Sequence, residues 1–306
     1  MAEDQIPFEA TQTVIIPVGT NSQATISREL HTGHNRSRIE YVVPKSLAGK
    51  DIVNDGDWQW EYDPGSHRAV RSRTKWHATK KQEAGSLGSR VMRSYRVKVD
   101  PAFTTFVGRK AYVLRLSPRI KDRHRQVWWI DQATSLVLKR EVYDPAELLH
   151  SSSSFSSIRF LTPAETNRPV WKLPPRTNVV TRDESVPITS HSEAKRMIPA
   201  WTRVLKTLGK GFEFDCARIE KVNDTETAHI EYSDGLIGIS LMQVPDRATV
   251  PAGDRPTRAV QIGSVRGSLT HQSRYAVLTW RIAETTFSLI ADLPEETAIA
   301  LARSLK

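Results

Sequence analysis

The sequence predicts a mainly β protein of the α+β class: a large antiparallel β domain, strongly curved or nearly closed into a barrel, followed by a smaller α+β domain. Three observations carry this. Period-two alternation of β-branched and aromatic residues dominates the first half, prolines crowd the middle, and strand patterning then resumes and closes on one amphipathic stretch. With 306 residues the chain has room for two ordinary domains, and 39% hydrophobic residues can fill a core under a polar exterior.

In the first half the alternation predicts strands at 11–18, 24–31, 37–43, 57–62, 69–76, 91–99, 111–117, 126–131, 137–143 and 157–161. The turn signals Asp55-Gly56, Asp63-Pro64-Gly65, Ser117-Pro118 and Asp144-Pro145 separate them. The serine run 151–157 reads either as a linker or as a polar edge strand, because Phe155, Ile158 and Phe160 lie within and after it. Residues 1–165 form the predicted large domain.

Pro169, Pro174, Pro175, Pro187 and Pro199 each remove a backbone donor, so 166–199 is expected to be an extended linker with a short helix around 192–197. Residues 200–306 form the predicted small domain, with strands at 212–219, 226–232, 237–244, 258–265, 268–272, 275–282 and 285–292. In the closing LPEETAIALARSLK, Pro294 suits a helix start and Glu295 and Glu296 suit the positive end of its dipole. Ala298, Leu301, Ala302 and Leu305 make one apolar face.

Charge is uneven. The formal balance is +10, and between Ser66 and Arg125 there are 17 Lys and Arg against Glu83, Asp100 and Asp122, a local excess of 14. Arg68, Arg71, Arg73, Arg109, Arg123 and Arg125 are therefore candidate contacts for an anion or an acidic partner. Cys216 is the only cysteine, which excludes an internal disulfide and multi-cysteine metal motifs. No run approaches the ~18 to 20 apolar residues that span a bilayer. The first residues, MAEDQIPFEA, carry neither a basic nor an apolar signal region, so the protein is expected either to be cytoplasmic or to be an exported form that has lost its signal peptide.

Catalytic motifs are missing. There is no G-x-S-x-G, no H-E-x-x-H and no phosphate loop, since Gly49-Lys50-Asp51 lacks the upstream glycine and the magnesium-binding hydroxyl. His31 and His34 lie on a strand-then-turn pattern that does not align them for a metal. The chain is expected to be no enzyme and to use no cofactor or metal.

What remains is aromatic. Trp58, Trp60 and Tyr62 alternate in DWQWEYDPG, and Trp128 and Trp129 adjoin in RHRQVWWID, where neighbours on a strand must point to opposite faces. Tyr95, Tyr112 and Leu114 add apolar surface on neighbouring strands. These rings serve either as core or as an apolar binding surface. Single-stranded nucleic acid stacked on a basic sheet is a weaker reading, because the rings sit on strands that also carry Leu, Ile and Val.

From Tyr95 onward a further pattern runs through Val107, Gly108 and Arg109 in VGR, Leu116 and Pro118 in LSP, Trp129 and Asp131 in WID, then Thr134 and Leu136. In these residues the chain resembles the RseB/MucB family of periplasmic regulators of envelope-stress sigma factors. KTLGKGFEF and Tyr232-Ser233-Asp234-Gly235-Leu236 continue the likeness into the second domain. Gly108 would let the chain turn into a strand, Pro118 would end it, and Asp131 would open the turn between paired strands.

The resemblance implies a half-open β-barrel like the lipoprotein carriers LolA and LolB, with Trp58, Trp60 and Tyr62 lining its concavity. It implies a periplasmic location, an anti-sigma factor's periplasmic segment as partner, and lipid or lipopolysaccharide as a second ligand. A LolA-type lipid carrier is the alternative. The chain departs from the family pattern at Ser135, where glycine is usual, and at Leu208-Gly209, where Leu-Pro is usual. It also departs between Trp76 and Val91, where no long apolar helix is legible.

Overall fold

The computed structural model describes residues 6–18, 21–33, 35–73, 83–120, 122–182, 187–222, 225–245, 257–272 and 274–305. The chain divides into two compact units. One comprises Met1–Trp76, Tyr95–Pro118 and His124–Arg182, and the other His77–Ser94, Arg119–Arg123 and Asp183–Lys306.

The first unit is built on one open sheet. Its strands are β1 (Phe8–Val18), β2 (Asn21–Gly33), β3 (Arg36–Val43), β4 (Asp51–Asp55), β5 (Trp58–Asp63), β6 (Arg68–Arg73), β7 (Tyr95–Val99), β8 (Thr104–Phe106), β9 (Arg109–Pro118), β10 (Arg125–Asp131), β11 (Val137–Tyr143), β12 (Leu149–Phe160) and β13 (Asn178–Thr181). They lie in the order β13-β6-β5-β4-β3-β2-β1-β12-β11-β10-β9-β7, with β8 beside β9, so β13 and β7 are the ends of the path. All pairings are antiparallel except that of β13 with β6. Phe8, Ala10, Ala111, Leu136, Leu138 and Phe155 form its continuous buried cluster, with Trp129, Ile158 and Phe160 packed against it.

Several expectations change here. The serine run is neither linker nor edge: β12 is a central strand between β1 and β11, with Ser152 to Ser154 opposite both neighbours. Small hydroxyl residues suit a strand flanked on both sides. β4 was hidden because DIVND is short and follows a loop.

The strand predicted at 91–99 begins only at Tyr95. The residues before it belong to helix α1 (Glu83–Ser94), which is counted with the second unit. The end of the strand predicted at 69–76 lies outside the described residues. A 3₁₀ turn, Pro163–Asn167, straddles the start of the predicted linker; within it β13 joins the large sheet, and helix α2 (His191–Met197) stands where a short helix was expected.

The second unit carries β14 (Thr207–Gly209), β15 (Phe212–Val222), β16 (Thr225–Ser233), β17 (Gly238–Pro245), β18 (Arg258–Ile262), β19 (Val265–Gln272), β20 (Tyr275–Ile282) and β21 (Thr285–Ala291). Their order is β14-β15-β16-β17-β21-β20-β19-β18. Helix α3 (Glu295–Ala302) follows, with Pro294 at its N-cap and Ala298, Leu301 and Ala302 buried. This unit has the fuller core, in which Phe212, Ile230, Tyr232, Leu241, Leu278, Trp280, Phe287 and Leu289 are nearly or completely inaccessible.

Candidate partner-binding surfaces

Directly opposed residues in an antiparallel ladder share a face. Glu9, Leu30, Arg38, Val53, Trp60 and Arg71 are successive partners from β1 to β6, so they form one row. Trp58 and Tyr62 share that face, whereas Phe8 and Ala10 of the apolar cluster flank Glu9 and point the other way. The three alternating rings therefore lie opposite the cluster.

They are also engaged. The Trp60 and Tyr62 rings meet Trp171, at 5.9 and 6.1 Å between centroids. Trp60 Nε1 donates to Asp55 Oδ2 at 2.7 Å, and Trp171 Nε1 donates to Asp51 Oδ2 at 3.2 Å. The guanidinium groups of Arg71 and Arg73 lie 4.4 and 4.2 Å from the Trp58 ring. This corrects the expectation of three rings walling a free apolar hollow. The proline-rich segment folds back so that β13 pairs with β6, and it brings Trp171 onto two of the rings. An indole in an otherwise polar, proline-rich stretch was the available sign that the stretch docks.

Beside these rings, on the same face, lies a polar cleft of about 620 Å³. Its floor includes Glu9, Thr11, Arg28, Arg38, Glu40 and Arg159, and Arg168, Pro169 and Val170 line it from the folded-back segment. Its charges are largely matched. Arg159 and Arg168 both bind Glu9, at 2.9 and 3.0 Å, and Arg38 binds Asp51 at 2.7 Å. The hydrogen bond from Arg159, together with Arg168, holds the Glu9 carboxyl below its ordinary value against a smaller opposing effect of burial. Across the sheet, Tyr41, Ile52, Glu61 and Val70 line a smaller hollow of about 280 Å³.

The other predicted ligand residues divide. Leu114 pairs with Trp128 and Tyr112 with Ile130, so Tyr112, Leu114 and Trp128 do share a face. Trp128 Nε1 donates to Gln126 Oε1 at 2.9 Å. Trp129 takes the opposite face, where Lys139 Nζ lies 4.4 Å from its ring. Tyr95 is fully buried and offers no surface, a correction to its expected role.

The arginines divide too. Arg68 is exposed on β6. Arg125 donates to Glu147 at 2.7 and 2.9 Å and stacks over Tyr143 at 4.1 Å. Arg123 is corrected outright: its side chain is inaccessible, paired with the equally buried Asp234 and stacked over Phe212 at 4.4 Å. It cannot meet an external anion.

The motif residues sit at turns and strand ends. Val107 and Gly108 both have left-handed backbone, with φ 44° and 74°, which turns the chain from β8 into β9. Arg109, next in line, grips Asp131 through two nitrogens. Asp131 Oδ1 also accepts the backbone N–H of Ala133 and of Thr134, at 3.0 and 2.8 Å, and the Thr134 hydroxyl at 2.9 Å. Burial pushes this carboxyl up, and the bonds from Arg109 and Thr134 more than reverse it, leaving the group below the ordinary aspartate value.

Ser135 adopts φ 61°, which explains why glycine is usual there. Pro118 is the last residue of β9, opposite Tyr95. In the second unit Asp234 Oδ1 caps the N–H of Leu236 and Ile237 at 2.9 and 2.8 Å, and Gly235 follows at φ 102°.

The family description MucB/RseB N-terminal domain matches residues 12–177, more than half of the chain. The chain belongs to the MucB/RseB family. Solved structures of MucB share its fold along nearly the whole chain. The MucA/MucB complex from Pseudomonas aeruginosa is 15% identical, with a TM-score of 0.59 over 98% of this chain and 93% of that one. MucB in complex with MucA(peri) is 16% identical, with a TM-score of 0.60 over 100% of this chain and 94% of that one. MucB alone is 14% identical, with a TM-score of 0.53 over 99% and 93%. A search of curated proteins gave no match. Among the described residues no helix is long and apolar enough to cross a membrane.

Proposed function

We propose that the chain is a periplasmic, non-enzymatic regulator that binds the periplasmic segment of an anti-sigma factor and so controls an extracytoplasmic-function sigma factor. Membership of the MucB/RseB family carries this reading, and the whole-chain likeness in fold to MucB, solved with MucA, supports it. The chemistry agrees with binding rather than turnover. The candidate surfaces combine half-buried rings with guanidinium groups, and the strongest carboxylate partners serve turns and ion pairs.

The face shared by Tyr112, Leu114 and Trp128 is our candidate for apolar contact, and Arg68, Arg71 and Arg73 for acidic contact. In this reading the two compact units act as separate modules. The test is affinity capture: immobilised chain should retain the periplasmic segment of the anti-sigma factor encoded beside its gene. Retention of nothing across low and high salt would reject the proposal.

A lipid or lipoprotein carrier is the second reading. The sparse continuous cluster of the large sheet, compared with that of the second unit, favours it. Native mass spectrometry of freshly purified protein separates the two, because a carrier retains an acyl ligand.

A further inference from the structure

The hairpin of β1 and β2 parts from its neighbours before it ends. β12 pairs with β1 only as far as Ile15, opposite Ser152, and β3 pairs with β2 only as far as Ile26, opposite Val43. Beyond those points Ile16, Pro17 and Val18 meet only Gln23, Ser22 and Asn21 among the described residues. A two-stranded arm about 10 Å long therefore stands free of both neighbouring strands.

The two edges of the arm differ. On β1, Pro17 lacks the N–H that an added strand would need, and proline is one of the devices that blunt an edge. On β2, Asn21 to Thr25 carry neither proline nor charge, and Asn21, Ser22, Gln23 and Ala24 are exposed. Among the described residues no strand pairs with them on the side away from β1. This edge is open to pairing.

Charge selects the occupant. From Ala10 to Ser27 no residue is charged, the longest such run in a chain whose formal balance is +10. Two copies of a basic protein repel one another where their cationic surfaces meet, and at this arm that repulsion is absent. Val14, Ile15, Ile16 and Val18 give both faces of the arm apolar side chains, with Ile15 36% and Val18 49% exposed. An acyl layer is the poorer match, because unpaired backbone groups are costly in hydrocarbon. An acidic segment would find no cation on the arm.

We propose that the Asn21–Thr25 edge pairs antiparallel with the same edge of a second copy, making a four-stranded β1–β2–β2–β1 ribbon about a two-fold axis. Such a contact is self-complementary, so one surface serves both copies. Backbone hydrogen bonds give it its strength. It uses none of the residues proposed above for the anti-sigma segment and is testable with the chain alone.

The experiment is sedimentation equilibrium of the full chain over a range of micromolar concentrations. Dimers should form as concentration rises. Gln23→Lys sets like charges against each other across the axis and should raise the dissociation constant about tenfold or more. Gln23→Glu should do the same by itself, and an equimolar mixture of the two variants should restore dimers as mixed pairs. Gln23 is exposed, and unchanged thermal unfolding verifies the fold of each variant. A chain that stays monomeric at about 100 μM overturns the proposal, as do dimers that Gln23→Lys leaves intact or that the mixture fails to restore. If the chain is monomeric and Gln23→Lys weakens capture of an anti-sigma segment or of phosphatidylglycerol vesicles, the edge serves that other partner and the proposal fails.

Discussion

Arg123 and Asp234, 111 positions apart, form an ion pair in which neither side chain is exposed. The pair joins Arg119–Arg123, an excursion from the sequence of the first unit, to the turn after β16 in the second. Arg123 also donates to the Lys210 carbonyl. Removing one partner strands the other charge in the interior. Arg123→Ala or Asp234→Ala should therefore cost about 3–5 kcal/mol of the second unit's stability. The pairwise change Arg123→Met with Asp234→Leu should cost less than the two single changes together. Urea unfolding followed by a probe in the second unit measures all three.

Gly235 holds φ 102°, and a Cβ there would come within 2.9 Å of the Val91 backbone nitrogen and 2.8 Å of its Cγ2. Gly235→Ala meets both backbone strain and a clash with α1. The expected loss is about 2 kcal/mol, with faster amide exchange in the last turn of α1. Unchanged exchange there would separate the helix from this contact.

Asp131 gives a pH dependence with a definite sign. Its carboxyl sits below the ordinary value of 3.8 in the folded chain, so it stabilises the fold at neutral pH. That contribution is complete above the ordinary value and is lost as the pH falls through the lower folded-state value. Asp131→Asn should cost about 2 kcal/mol near neutrality through its charged hydrogen bonds. The gap between wild type and variant should stay constant down to about pH 5 and close in the acid limb. Thermal melts across this range measure the gap.

Trp171 covers the Trp60 and Tyr62 rings. Trp171→Ala should cost about 2 kcal/mol, in keeping with a half-buried indole, and should shift the emission of the remaining tryptophans toward that of exposed indole. An unchanged spectrum would mean that the folded-back segment does not shield Trp60.

Many strand positions are legible because alternation is local: β1 to β3, β9 to β11 and most of the second unit follow it closely. Contacts that depend on distant chain are not. Nothing in RHR separates the half-buried Arg125 from the fully buried Arg123, because the partner that decides the matter is Asp234. The rings of DWQWEYD stand out in the sequence, yet the cover of Trp60 and Tyr62 comes from Trp171, more than 100 residues away.

The serine run misled for a different reason. Serine signals a loop by composition, whereas β12 is held by two neighbours that supply its ladder. α1 was missed because its sequence, EAGSLGSRVMRS, holds two glycines and few apolar residues, so packing rather than propensity specifies it.

The most direct measurement is calorimetric titration of the purified periplasmic segment of the neighbouring anti-sigma factor into the full chain. The account predicts saturable binding with a fixed stoichiometry, weakened by Arg71→Ala with Arg73→Ala and kept when the salt concentration is raised to physiological strength. Heats indistinguishable from dilution, at low salt and with folded components on both sides, would contradict it.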